Sequence, residues 1–157
     1  MMASLRDELI ALYDRDYALW LEGTIERLRD RDYSQVDWEH LLDELETMGR
    51  SDKRAIKNNL VILLVHLLKW QFQPDARSGS WAGSITEHRT RIQGLLEDSP
   101  SLNKFLDEAL IWAYPRARRQ ASDETGIALG SFPDSCPYEL DLVLGDDFLP
   151  QASMTNE

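Results

Sequence analysis

Between Leu60 and Trp70 almost every position is apolar, with His66 and Lys69 set into Leu60-Val61-Ile62-Leu63-Leu64-Val65-His66-Leu67-Leu68-Lys69-Trp70. As a helix the run spans about 16 Å, too short to cross a membrane, so it predicts the central helix of a soluble core. His66 is then expected to be a buried, hydrogen-bonded imidazole, because an unpaired one costs roughly 1–3 kcal/mol.

The flanking pattern is helical throughout. Tyr13, Tyr17, Trp20, Leu21, Thr24, Ile25 and Leu28 recur at three- and four-residue steps and predict a helix from Leu5 or Asp16 to Leu28. Asp37 is a good N-cap, and Trp38, Leu41, Leu42, Leu45 and Met48 form one stripe ahead of Gly49, which fits a C-cap. A further helix runs from Asp52 to Phe72 and stops at Pro74; a single long helix bent at Gly49 is the alternative. Residues 75–83 read as a loop, and Ser84-Ile85-Thr86-Glu87 as a capping box opening a helix that ends near Asp98. Ser99-Pro100 restarts the chain, with Leu102, Phe105, Leu106, Ala109, Leu110, Ala113 and Ala117 on one face and a kink or break expected at Pro115. Beyond Ser122 the Gly and Pro content predicts an irregular strap with a helical turn at Tyr138 to Leu144, folded back over the bundle and anchored by Phe132 and Tyr138.

The expected architecture is all-α: a bundle of four to five main helices in one domain over residues 1–150, then a disordered tail over 151–157. At 157 residues the chain can bury a core without staples, and the single Cys136 cannot form an internal bridge. With no signal-like segment at Met1 to Leu12, a cytoplasmic location is expected. Formal charge is −11. Residues 123–157 hold eight acidic and no basic side chains, which assigns most of the acidity to the tail. An acidic chain repels phosphate backbones, so nucleic-acid binding is disfavoured, although Arg50 to Lys57 and Arg116 to Arg119 are basic. Neither segment is interleaved with aromatics along the sequence.

Several blocks resemble a known family. Leu12-Tyr13-Asp14-x-Asp16-Tyr17-x-x-Trp20, Leu42-x-Glu44-Leu45-Glu46-x-Met48-Gly49, His66-Leu67-Leu68-Lys69-Trp70-x-x-Gln73-Pro74 and Ser80-Trp81-x-x-Ser84-Ile85-x-x-x-Arg89 are similar to the bacterial domain-of-unknown-function family 29. Leu96-x-x-Ser99-Pro100-Ser101-Leu102, Ala113-Tyr114-x-x-Ala117-Arg118 and Phe132-Pro133-x-x-Cys136-Pro137-Tyr138 extend the likeness over Leu12 to Pro150. The Glu44-Leu45-Glu46 step departs mildly from the family's usual pair of acids followed by Ile. The resemblance implies an all-helical domain and carries no activity.

Four polar residues stand out as a candidate buried site: His66, His88, Arg89 and Glu44. Helical angles place His88 and Arg89 inside the stripe of Ile85, Ile92 and Leu96, and Arg89 is expected to pair with Glu44 or, failing that, Asp16. A mononuclear metal site would need two His and one carboxylate, and His66, His88 and Glu44 would be its ligands. The bland reading, core histidines bonded to carboxylates or carbonyls, is preferred, so no metal and no cofactor is assigned. The chain has no Glu-x-x-His, no phosphate-cradling glycine loop and no Gly-x-Ser-x-Gly elbow. Asp37-x-x-His40 is the nearest spacing, and His40, opposite Trp38 and Leu41, is expected in solvent. The expected function is a noncatalytic protein-interaction or scaffold module, binding a protein partner or a second copy and no membrane. The alternative is a small-ligand or mononuclear metal-dependent enzyme with a site inside the bundle.

Overall fold

A computed structural model describes residues 2–153, and among them every regular element is a helix. The α-helices are α1 (Leu5–Arg15), α2 (Tyr17–Arg29), α3 (Trp38–Phe72), α4 (Gly79–Asp98), α5 (Leu106–Thr125) and the short α6 (Leu140–Leu144). Short 3-10 turns lie between them. The expected all-α class, with its irregular C-terminal strap, is what the chain adopts. The chain divides into two compact units, residues 1–50 and 51–157. Of the tail expected to be disordered, residues 154–157 lie outside the described residues. Ser153 donates its N–H to the Gln71 carbonyl at 3.0 Å.

Local chemistry explains the boundaries. Ser4 and Asp7 form a capping box at α1, and Asp16 interrupts the chain with φ −150° before its carboxylate caps α2 through Leu19 N at 3.1 Å. Both starts read from the sequence are therefore real, as two helices. Gly23 lets them approach: a Cβ there would meet Leu9 Cδ2 at 2.6 Å. α3 is the long single helix of the alternative reading, since Gly49 sits inside it and caps nothing. α4 begins earlier than expected, because Ser78 rather than Ser84 supplies the cap, accepting Trp81 N at 3.3 Å. The Gly79-Ser80-Trp81 segment, read as loop from its composition, forms the first turn.

In the unit formed by residues 51–157, α3 contributes Ile56, Leu60, Leu63, Leu64, Leu67 and Leu68 to the core, and α4 contributes Ile85 and Ile92. α5 presents Ala109, Ala113, Ala117 and Ala121, each fully buried at four-residue spacing. That ladder of small side chains lets the helix sit close to its neighbours. Pro115 does not break α5 as expected. Its missing N–H would have bonded the Ile111 carbonyl, and Ile111 and Pro115 are on the exposed side, where water can take that bond. Gly126 closes α5 in the left-handed region, φ +75°.

The strap then folds over this core. Phe132 is buried edge-on against Phe72 at 4.9 Å, and Tyr138 donates to Gln71 Oε1 at 2.6 Å. A buried aromatic of this size contributes about 1.5–3 kcal/mol, so both expected anchors hold the strap. The acidic strap is also expected to lay its carboxylates near the two basic clusters. Asp134 meets Arg118 at 3.1 Å, but among the described residues no strap carboxylate lies within ion-pair distance of Lys53, Arg54 or Lys57.

α2 ends on a strained residue. Arg31, with φ 56°, occupies the left-handed position after the cap, while Arg31 N and Asp32 N close back on Leu28 and Arg27. Glycine takes this conformation without a Cβ penalty, which is about 1–2 kcal/mol for other residues and is partly offset by the entropy glycine loses. Arg31→Gly is therefore expected to raise stability by about 0.5–1 kcal/mol in denaturant titration. A loss would show that the Arg31 side chain carries an interaction of its own.

Candidate functional site

In the unit formed by residues 1–50, the buried Asp37 carboxylate accepts Trp20 Nε1–H at 3.1 Å and His40 Nδ1–H at 2.6 Å. The His40 ring stacks on Tyr13, with centroids 3.9 Å apart and planes 10° from parallel. Tyr13 donates its hydroxyl to Glu44 Oε1, and Tyr17 donates to Glu44 Oε2 at 2.9 Å. Glu44 is thus held by two phenols from α1 and α2, and Asp16 caps α2. Neither is the partner of Arg89, which corrects that expectation.

His40 is also corrected. It is not a solvated side chain but an ion-pair partner of Asp37, one quarter exposed. The pairing and its hydrogen bond raise its pKa above the ordinary histidine value. The two phenol donors hold the Glu44 carboxyl below its usual range. Bonding to that carboxylate pushes Tyr13 up to about 12 and raises Tyr17. The sequence signal for this cluster was present in the Asp37-x-x-His40 spacing and in Tyr13 and Tyr17 at four-residue spacing. The apolar stripe of residues 38–48 masks it, because a stripe of that kind is expected to face the core and to leave His40 outside.

Part of that stripe faces the other way. On a helical wheel Asp37, His40 and Glu44 cluster roughly 130° from the centre of the Trp38, Leu42 and Leu45 side, while Leu41 and Met48 fall within about 40° of Asp37. α1 and α2 pack on the polar side, where Leu41 is half-buried, leaving Trp38 41%, Leu42 55% and Leu45 53% exposed. Glu39 and Glu46 border one edge of this open apolar face.

In the second unit, Arg89 is buried among strap carbonyls. Its Nε donates to Val143 O at 2.8 Å, and its Nη2 to Phe148 O at 2.6 Å and Leu142 O at 3.3 Å. Gln93, one turn along α4, donates to Leu144 O and Asp146 Oδ1, each at 2.9 Å. Leu142, Val143 and Leu144 are the last residues of α6; the cap residue Gly145 donates to Leu142 O at 3.3 Å, and the side chains of α4 supply the donors for Val143 O and Leu144 O. Burial lowers the Arg89 pKa, while Asp146 and Asp147 nearby oppose that shift. His88, next to Arg89 on α4, is buried and donates Nδ1–H to the Ser84 carbonyl at 2.7 Å. His66 is half-buried, less enclosed than its apolar neighbours suggest, and donates Nδ1–H to the Ile62 carbonyl at 2.8 Å. Of the four candidates, only His88 and Arg89 are adjacent. Each of the four is held by a different set of partners. Among the described residues no group of three or more His, Cys, Asp or Glu is placed to hold a metal ion.

The same unit carries a surface that linear sequence hid. Lys53 and Lys57 lie 5.5 Å from the Phe105 ring centre, Lys57 lies 5.1 Å from that of Trp112, and the Arg116 guanidinium lies 3.8 Å from it. Basic residues with no aromatics between them in sequence are interleaved with aromatics in space. Ile111 beside them is 76% exposed. A neighbouring apolar cavity of about 240 Å³ is lined by Leu110, Tyr114, Pro115 and Cys136, whose thiol pKa is raised by burial.

The fold defines an all-helical protein in which no helix among the described residues is long and apolar enough to cross a membrane. Residues 12–149 match the family model "Domain of unknown function DUF29", and the chain belongs to that family. No curated protein and no solved structure matches the chain.

Because α6 and Phe148 hang on Arg89, Arg89→Ala is expected to destabilise by about 3 kcal/mol or more in denaturant titration, since hydrogen bonds to a charged donor are worth about 1.5–3 kcal/mol each. Arg89→Lys should recover only part of this, because an ammonium cannot reproduce the guanidinium fork. The His40 pKa is raised on folding, so its stabilisation is complete below about pH 6.5 and is lost as pH rises through the folded value. An NMR titration should place the His40 midpoint above that of a free imidazole, and His40→Gln should flatten the decline in stability above neutral pH. A midpoint at or below the free value would contradict the ion pair.

Proposed function

We propose that this chain is a noncatalytic protein-interaction module, and that its working surface is the acid-rimmed apolar face of α3 formed by Trp38, Leu42 and Leu45. The observation that carries the reading is the inversion of α3 within residues 1–50. Hydrogen bonds from Tyr13, Tyr17 and Trp20 fix the polar side inward, so α1 and α2 do not cover the apolar side, where only Tyr33 leans on Trp38 among the described residues 2–50. Clustered apolar side chains edged by charge are the usual mark of a protein-binding surface. Residues 1–50 hold 13 acidic and 6 basic side chains, so a large share of the acidity lies here as well as in the tail. The partner that fits is therefore a helix offering apolar residues edged by Lys or Arg, laid along this face side by side. This reading keeps the chain in the cytoplasm, where Cys136 stays a thiol, and away from membranes. A catalytic role for His66, His88, Arg89 and Glu44 draws no support from their separate engagements.

The test uses two amphipathic helical peptides with the same leucine face, one with lysines on its polar side and one with glutamates. Trp38 emission should shift to the blue with the lysine peptide only, at a Kd on the order of micromolar. The Leu42→Glu/Leu45→Glu double variant should lose that binding. It is more acidic than the parent, so mere charge attraction would bind the peptide more tightly, and that result would overturn the reading.

A further inference from the structure

Two surfaces of this chain are complementary to one another. The first is the face of Trp38, Leu42 and Leu45, bordered by Glu46, which meets Arg50 at 3.8 Å, and by Glu39, which has no basic partner within ion-pair distance among the described residues. The second surrounds Phe105 and Trp112, and here Lys53, Lys57 and Arg116 have no carboxylate within that distance among the described residues. Charge divides the same way: residues 51–122 hold 11 basic and 7 acidic side chains, against 6 and 13 in residues 1–50.

We infer that the face of Trp38, Leu42 and Leu45 in one copy docks on the Phe105, Trp112, Lys57 and Arg116 surface of a second copy, head to tail. The inference rests on the proposed function and names its partner. Self-pairing of the first face is disfavoured, because it would set Glu39 and Glu46 against their own equivalents. Docking on the second surface instead sets those carboxylates toward lysines and an arginine. The lysines and Arg116 already lie over aromatic rings, so less side-chain freedom is lost when carboxylates arrive. Such a contact is heterologous: each copy keeps one face open, so assembly proceeds to a ring or an open chain rather than stopping at a symmetric dimer.

Sedimentation velocity of the full chain over about 1–100 µM should show mass rising with concentration. The association should weaken between about 50 and 500 mM salt. Leu42→Glu/Leu45→Glu and Lys57→Glu/Arg116→Glu should each stay monomeric, with association at least about tenfold weaker than the parent. Mixed in equal amounts, the two variants should form a 1:1 dimer that grows no further, because each supplies the surface the other has lost. Thermal melts check that both are folded; if either melts early, Leu42→Ser or Lys57→Gln replaces it. A monomeric parent chain overturns the inference, as does self-association abolished by the first variant and untouched by the second. In both cases binding of the lysine peptide would still uphold the proposed function, and its absence would sink both. A single-stranded oligonucleotide held by the parent and released by Lys57→Glu/Arg116→Glu would also overturn the inference, by giving that surface to nucleic acid.

Discussion

The strap stays in place because one guanidinium replaces the hydrogen bonds that a five-residue helix cannot make for itself. α6 is too short to satisfy its own terminal carbonyls, and Phe148 beyond it lies on irregular chain. Buried without donors, these groups would cost about 1–3 kcal/mol each. Arg89 and Gln93, one turn apart on α4, reach four of them. Without the strap, Phe72, Tyr114 and the α5 alanine ladder would lose the cover of Phe132 and Val143. Tyr114 and Arg118 repeat the device further along, donating to Pro133 O and Phe132 O. Polar side chains on α4 and α5 thus anchor the strap's backbone, while its aromatics fill the core.

Arg89 also shows how a buried cation is tolerated without a directly bonded carboxylate. Three carbonyl dipoles take its N–H groups, and Asp146 and Asp147 favour the charged form from close by. The opposite arrangement governs residues 1–50. There the buried charge is negative, Asp37, and its donors are an indole and an imidazole. A hydrogen-bonded, partly aromatic cluster can specify one register between helices where apolar packing alone would tolerate several.

The sequence made much of this legible. Periodicity, caps and prolines located the helices, and Pro74, Ser99-Pro100 and Gly126 mark real ends. Phe132 and Tyr138 were readable as anchors because aromatics in a Gly- and Pro-rich segment have no other use. The site was harder to read. Side-chain angle shows that Arg89 faces inward but not what it meets, and backbone carbonyls leave no trace in the sequence as partners. An assumption from polarity therefore supplied Glu44. The stripe of residues 38–48 misled for a related reason: the spacing of apolar residues says which side of a helix is apolar, while packing is decided by what the neighbours offer. α1 and α2 offer phenols and an indole N–H, which match carboxylates better than leucines. Lys53 and Lys57 reach Phe105 and Trp112 from α3, distant in sequence, and that part of the surface leaves no local signal, whereas Arg116 over Trp112 is a four-residue step on α5 that spacing alone makes readable.

The inverted helix and the hidden basic surface are two results of one rule, that aromatic residues here serve polar groups as much as the core. Tyr13 and Tyr17 hold Glu44, Trp20 holds Asp37, Trp70 and Trp81 stack under Arg77 and Lys69, and Trp112 lies under Lys57 and Arg116. Each such contact removes apolar ring area from water without taking it from the leucine core. In residues 1–50 the aromatics turn the polar side of α3 inward and expose its leucines. In residues 51–122 they hold cations at fixed positions on the outside. An exposed leucine face and a fixed basic surface both arise from how the aromatics are placed: Tyr13 acts on recognition through the packing of α3, and Trp112 by holding Lys57 and Arg116 in position.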